Sequence, residues 1–332
     1  MRTARGPRVL SVVLLFVLSA CGGEGDSAAQ GAPGVVDGQP VDPGSTPSLE
    51  RFSVDSDGHP MAVWSRAPDS PDAVVLLLHG RTWSSVPDFD LQVEGEELSL
   101  MTALAAEGIA TYALDARGYG ETPRTDDGWL NPDRMAEDVR NVIRWIADRH
   151  PDRAAPAVMG WSFGSTTAHL FAQRWPEETS GVALYGYWKD PATTIPDGDE
   201  PPEPARSPTP AEAAASDFMT EGSISPRAID AFVAAALEAD PVRVDIRRTA
   251  EFNALSPDSL TVPTLILQGE FDPIAPSEVQ ERLFTGLGTG HRSWVVLPGC
   301  DHAAHLERCM DRYVRTLSGF VKEVTGNPGS QP

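Results

Sequence analysis

The chain has 332 residues, 41% of them hydrophobic, and 48 acidic against 26 basic side chains give a formal charge of −22. That length suffices for one large core with an insertion. The acidity argues against nucleic acid as a partner, because its phosphates would be repelled.

The chain opens MRTARGPR, with three arginines, and Val9–Ala20 follows without a single charge. As a helix this run reaches only ~18 Å, short of the ~30 Å hydrocarbon core, so it reads as a secretory signal rather than a spanning helix. Leu18-Ser19-Ala20-Cys21 resembles a bacterial lipobox. The resemblance implies cleavage after residue 20, acylation of Cys21 as in palmitate-bearing lipoproteins, and a lipid anchor to a membrane of the bacterial cell envelope. Residues 21–48 are poor in large apolar side chains and rich in Gly, Pro, Ser and Ala, a composition that reads as a flexible tether.

From Glu50, ERFSVDSDG and HPMAVWSR suggest two strands joined by a turn. Short continuous apolar runs then recur at Ala73–Leu78, Ile109–Leu114, Ala155–Met159, Val182–Tyr185, Thr264–Leu267 and Trp294–Leu297. Strands apolar on both sides belong to a sheet covered on both faces. Between them lie helical patterns, the clearest over 131–150, where Asn131 caps, Pro132 starts, and Met135, Val139, Val142, Ile143 and Ile146 share a face. Leu98–Glu107, Thr166–Trp175, Ser277–Leu287 and His305–Val324 are weaker versions. The alternation predicts an α/β fold with a mostly parallel, doubly wound sheet and helices on both faces. It stops over 189–259, where a Pro/Glu-rich stretch precedes a helix expected near Arg227–Glu238. An excursion this long reads as a cap or lid. The plan is therefore a signal at 1–20, the tether at 21–48, a core at 49–188 and 260–326, the cap at 189–259, and a disordered tail at 327–332.

GWSFG at Gly160–Gly164 follows an apolar strand and precedes a helix, the context that lets a serine stand exposed on a strained turn. A nucleophilic serine needs a base, and the base needs an orienting carboxylate. Both should lie at the ends of later strands. GEFDP after Thr264–Leu267 offers Asp272, with Glu270 and Asp190 as rivals; GCDH after Trp294–Leu297 offers His302, with His305 as its rival. Asp301 reads as a solvated loop charge, and His79 as a packing residue.

In this order, LLLHG, LDARGYGET, GWSFG, GEFDPIAP and GCDHAAHLE resemble the serine members of the α/β-hydrolase superfamily along most of residues 50–325. The resemblance implies Ser162 as nucleophile, Asp272 as acid, His302 as base, and the backbone N–H groups of Arg81 and Phe163 as the oxyanion hole. It calls for no cofactor. Acyl transfer through an acyl-enzyme is the expected chemistry. A carboxylic ester is the leading substrate, with Trp83 and Trp161 placed to line an apolar pocket. The alternative is an exopeptidase or aminopeptidase acting on short peptides, whose cap would need a carboxylate for the free amine. An inactive surface binding module is a third reading. The SSVPDFDLQVEGEE stretch is expected as an acidic loop near the entrance. Cys300 and Cys309 are a candidate disulfide in an exported chain, and no set of residues has metal-ligand spacing.

Overall fold

The apolar runs assemble side by side, because each can be buried only if both of its faces are covered. The computed structural model describes residues 46–198 and 200–326. The signal, Cys21, nearly all of the tether and the 327–332 tail lie outside them. In chain order the strands are β1 (Glu50–Ser56), β2 (His59–Arg66), β3 (Ala73–Leu78), β4 (Ile109–Leu114), β5 (Trp129–Leu130), β6 (Ala157–Trp161), β7 (Val182–Tyr185), β8 (Asp245–Ile246), β9 (Thr264–Gly269) and β10 (Arg292–Leu297). The helices are α1 (Ser85–Phe89), α2 (Leu100–Ala106), α3 (Pro132–Arg149), α4 (Phe163–Arg174), α5 (Ala211–Ala215), α6 (Pro226–Ala239), α7 (Ser277–Gly286) and α8 (Met310–Thr325). Eight strands form one sheet in the order β1-β2-β4-β3-β6-β7-β9-β10, antiparallel at β1–β2 and β2–β4 and parallel from there on. This is the α/β-hydrolase fold, with a mostly parallel sheet between helical layers.

The two cores follow from the two-residue period of a strand. Val74, Leu76 and Leu78 of β3 face one cluster with side chains of α3, α4 and α7, while Ala73, Val75 and Leu77 face the other with α2, α6 and α8. In α3 the Asn131 side chain accepts from the Arg134 N–H at 3.0 Å, and the five predicted apolar residues are all buried. Burying each contributes about 1.5–3 kcal/mol relative to exposure.

Several boundaries differ from expectation by a few residues, α4 for instance starting at Phe163 rather than 166 and β10 at Arg292 rather than 294, and two of the differences have a clear cause. β6 begins at Ala157 rather than 155, because Pro156 has no N–H to give the ladder. The last helix begins at Met310 rather than 305. Residues 301–309 are instead turns, bracketed by a disulfide between Cys300 and Cys309 with Cα atoms 6.3 Å apart. The acidic stretch after Trp83 is not an open loop throughout: it forms α1, with Ser85, Asp88 and Phe89 buried. Cap and core residues belong to one compact unit. Among the described residues no helix is long and apolar enough to cross a membrane.

Candidate active site

β6 delivers Ser162 to the carboxyl end of the sheet, and α4 leaves from it. Its φ of 53° is a conformation L-residues rarely hold, and surrounding close packing enforces it. A Cβ on Gly160 would lie 2.2 Å from the Gly164 oxygen, and one on Gly164 would lie 2.3 Å from the Leu78 oxygen. Only glycine allows the turn. The Ser162 N–H donates to the Tyr185 carbonyl at 2.8 Å, tying the elbow to β7.

β9 and β10 supply the other two groups. His302 Nδ1 lies 2.8 Å from Asp272 Oδ2, and the pair is buried. Asp272 Oδ1 accepts from the Ile274 and Ala275 N–H groups at 2.9 and 3.1 Å, so the carboxylate is held in place. With Nδ1 engaged as donor, Nε2 is the nitrogen left to take a proton. The ring packs against Gly186, where a Cβ would sit 2.7 Å from Cε1. The rivals are occupied elsewhere. Glu270 accepts from the Gly299 N–H at 2.7 Å, and Asp190 pairs with Arg282. His305 is fully buried between Trp161, Tyr185 and Phe89. Burial, reinforced by His302, lowers its pKa to about 3, which suits packing rather than proton transfer.

On the other side of the serine, His79 orients the turn after β3. Its Nε2 accepts from the Ala116 N–H at 3.0 Å, so Nδ1 carries the proton and donates to the Gly80 carbonyl at 2.8 Å. Burial lowers the His79 pKa, consistent with that neutral form. In a trans peptide the next N–H points opposite the carbonyl. Pinning the Gly80 oxygen therefore aims the Arg81 N–H away from His79. The Phe163 N–H stands at the first turn of α4, where backbone donors are unpaired by the helix itself. Arg117 braces the neighbouring loop through a two-pronged pair with Asp138 at 2.8 and 2.7 Å.

The chain belongs to the serine aminopeptidase S33 family. That family's sequence model matches residues 69–309, spanning the elbow and both later segments. A monoacylglycerol lipase of Mycolicibacterium smegmatis is 29% identical over 139 residues, which is 42% of this chain and 44% of that protein. The chain thus aligns with less than half the length of this relative. Among solved structures, a thermophilic esterase from Thermogutta terrifontis superposes with a TM-score of 0.61 at 19% identity, covering 83% of this chain and 99% of that one. A monoacylglycerol lipase of Paleococcus ferrophilus gives 0.55 at 18% identity, covering 79% and 98%. At such identities the structures share the fold.

Within this S33 frame, both predicted pocket tryptophans are buried supports. Trp161 donates from Nε1 to the His302 carbonyl at 2.7 Å and lies beneath that residue. Trp83 donates to Asp217 Oδ2 at 2.6 Å and meets Phe232 of α6 edge-on, joining core to cap. Asp301 overturns its expectation as a solvated charge. It is fully buried, and its carboxylate accepts from the Met219 and Thr220 N–H groups. Tyr185 was not singled out from the sequence as part of the site. Its hydroxyl donates to the Asp301 carbonyl at 2.9 Å and accepts from the Ala304 N–H at 2.6 Å, holding the loop on either side of His302. Its only signal was its place at the end of an apolar run.

Proposed function

We propose that the chain is a serine esterase that cleaves small carboxylic esters through an acyl-enzyme. Ser162 is the nucleophile, His302 the base, Asp272 its orienting acid, and the Arg81 and Phe163 N–H groups receive the oxyanion. The observation that carries this reading is the buried His302–Asp272 hydrogen bond beside an elbow that holds Ser162 at positive φ. His302 takes the serine proton as the hydroxyl attacks the carbonyl, and returns it to the leaving alcohol. Water then repeats the sequence on the acyl-enzyme. The esterase and lipase relatives support the ester over the amide. In processed protein, p-nitrophenyl acetate and butyrate should be cleaved with higher kcat/KM than aminoacyl or tripeptidyl p-nitroanilides. A fluorophosphonate probe should label wild type and not Ser162→Ala. A free-amine anilide that outruns both esters overturns the esterase.

That outcome would favour a second reading, an aminopeptidase, to which the family description points and for which one observation speaks. The cap brings Asp217, a half-buried carboxylate, within electrostatic reach of His302, and its partial desolvation raises its pKa to about 6. A substrate ammonium would need such a partner, since an unpaired buried charge is costly. The sequence offered no reason to single Asp217 out among the cap's acidic residues.

The domain plan and location belong to the same proposal. Residues 189–259 act as the cap, and the lipobox-like Leu18–Cys21 supports acylation at Cys21 and anchoring in the cell envelope. A labelled fatty acid should attach to the full chain and not to Cys21→Ala; attachment surviving that change refutes the anchor.

A further inference from the structure

Two carboxylates on the histidine loop bind the cap and have no part in the proposed chemistry. Asp301 accepts from the Met219 N–H at 3.0 Å and from the Thr220 N–H. Glu307 accepts from the Ser223 hydroxyl at 2.6 Å and, through its other oxygen, from the Asp301 N–H at 2.9 Å. The Arg308 N–H closes the seam on the Ser223 carbonyl at 2.8 Å. Both acids are buried, and no cation answers either of them among the described residues. The opposite side of the loop is held without them, by Trp161, Tyr185 and the disulfide. Within the loop the acids also take the Asp301 N–H and the Ala303 N–H (at 3.3 Å), so they tie the cap loop to the histidine loop without touching the His302 ring.

We propose that Asp301 and Glu307 are positioning residues, a clamp that holds the cap loop Asp217–Ser223 over the histidine loop and loosens when Glu307 gives up its proton. Ionising both acids would bury two adjacent negative charges. Burial, with a smaller push from the Asp301 charge, raises the Glu307 pKa to about 7 against the opposing pull of its hydrogen bonds from Ser223 and the Asp301 N–H. The other charged groups around Glu307 do little to relieve it. Glu96, Glu97 and Asp311 line the adjoining cleft, and Arg308 turns its guanidinium to the Gly299 carbonyl. Glu96 is occupied by Arg227 and Ser225. Asp217, once ionised above about pH 6, adds negative charge on the cap side, where Glu221 is exposed to solvent. Once the loop lifts into water, Glu307 returns to an ordinary carboxylate value of about 4.3. The closed form thus holds a proton that the open form releases. Closure is strongest at pH below about 4.5, weakens as pH rises, and levels off above about 7.

Hydrogen exchange at the Met219 and Thr220 amides, corrected for intrinsic pH dependence, reads the clamp without any substrate. Wild-type protection should fall about tenfold between pH 5 and 7, within what one linked proton permits. Glu307→Gln is neutral at every pH. In an Asp217→Asn background, which removes the loop's other acid titrating near 6, its protection should stay constant over that range, while Asp217→Asn alone should keep most of the wild-type fall. Asp301→Ala removes the acceptor of both amides. It should lose protection at all pH values and raise KM for p-nitrophenyl butyrate several-fold, with a smaller change in kcat. Ser223→Ala should show an intermediate loss of protection, and it keeps the test open should Asp301→Ala fail to fold. Wild-type pH dependence surviving in Glu307→Gln on the Asp217→Asn background, or full protection in Ser223→Ala or a folded Asp301→Ala, overturns the clamp. The kinetic arm rests on the esterase reading and the exchange arm does not. PH-dependent protection in a protein inert toward esters would sink the esterase and leave the clamp standing.

Discussion

Among the described residues, 300–309 and 191–208 both lack helices and strands, yet they are built to opposite ends. In the first, every residue but Arg308 is buried; in the second, none of the described residues is. Irregular backbone can be buried only if its N–H and C=O groups find partners. The histidine loop finds them in Trp161, Tyr185 and Glu307, and the disulfide closes its ends. The Pro/Glu-rich stretch leaves most of its backbone to water. It is tied down where Ile195 exchanges hydrogen bonds with Asn253, where Asp245 accepts from the Ala205 and Arg206 N–H groups, and where Glu200 meets the Arg248 N–H. Absence of regular structure therefore does not measure rigidity. The count of satisfied, buried polar groups does.

The contrast can be broken most forcefully at His302. His302→Ala should cost on the order of 10⁶-fold in kcat, because the serine loses its base, while circular dichroism stays unchanged; substantial turnover would remove the histidine loop from the chemistry. Asp272→Asn should cost about 10⁴-fold through the wrong imidazole tautomer. Glu270→Gln should do far less, since its carboxylate holds only the Gly299 N–H. If their effects on kcat are reversed, the acid sits at 270. Replacing Cys300 and Cys309 together by serine should lower unfolding free energy by about 2–3 kcal/mol, from the entropy of a short closed loop. Denaturant titration reads that loss, and a change near zero would mean that the hydrogen bonds alone hold the loop. Deleting 191–208 should be mildest, moving Tm by no more than about 3 °C. Acetate hydrolysis should survive it and preference among bulkier acids should shift; insoluble or unfolded protein would show that this stretch packs as firmly as the histidine loop.

Much of this architecture was legible because it is local. The face of α3 and its Asn131 cap, the continuous apolar runs, and the glycines about Ser162 depend on neighbours a few residues away. Helical spacing, uninterrupted apolar runs and flanking glycines record them directly. The order of Ser162, Asp272 and His302 along the chain was likewise visible, since each follows an apolar run that ends in a turn.

What the sequence by itself determined, then, was a covered parallel sheet and the segments that end at its carboxyl edge. Tertiary structure decided which side chains meet there. Asp272 rather than Glu270 reaches His302 because the turn after β9 points one acid at the ring and the other at Gly299. Trp161 lies under the histidine loop, Trp83 against the cap, and Asp301 beneath a cap loop more than eighty residues earlier in the chain. Such contacts leave no period in the sequence. A buried carboxylate and a solvated one are the same letter, and only the approach of distant backbone N–H groups distinguishes them.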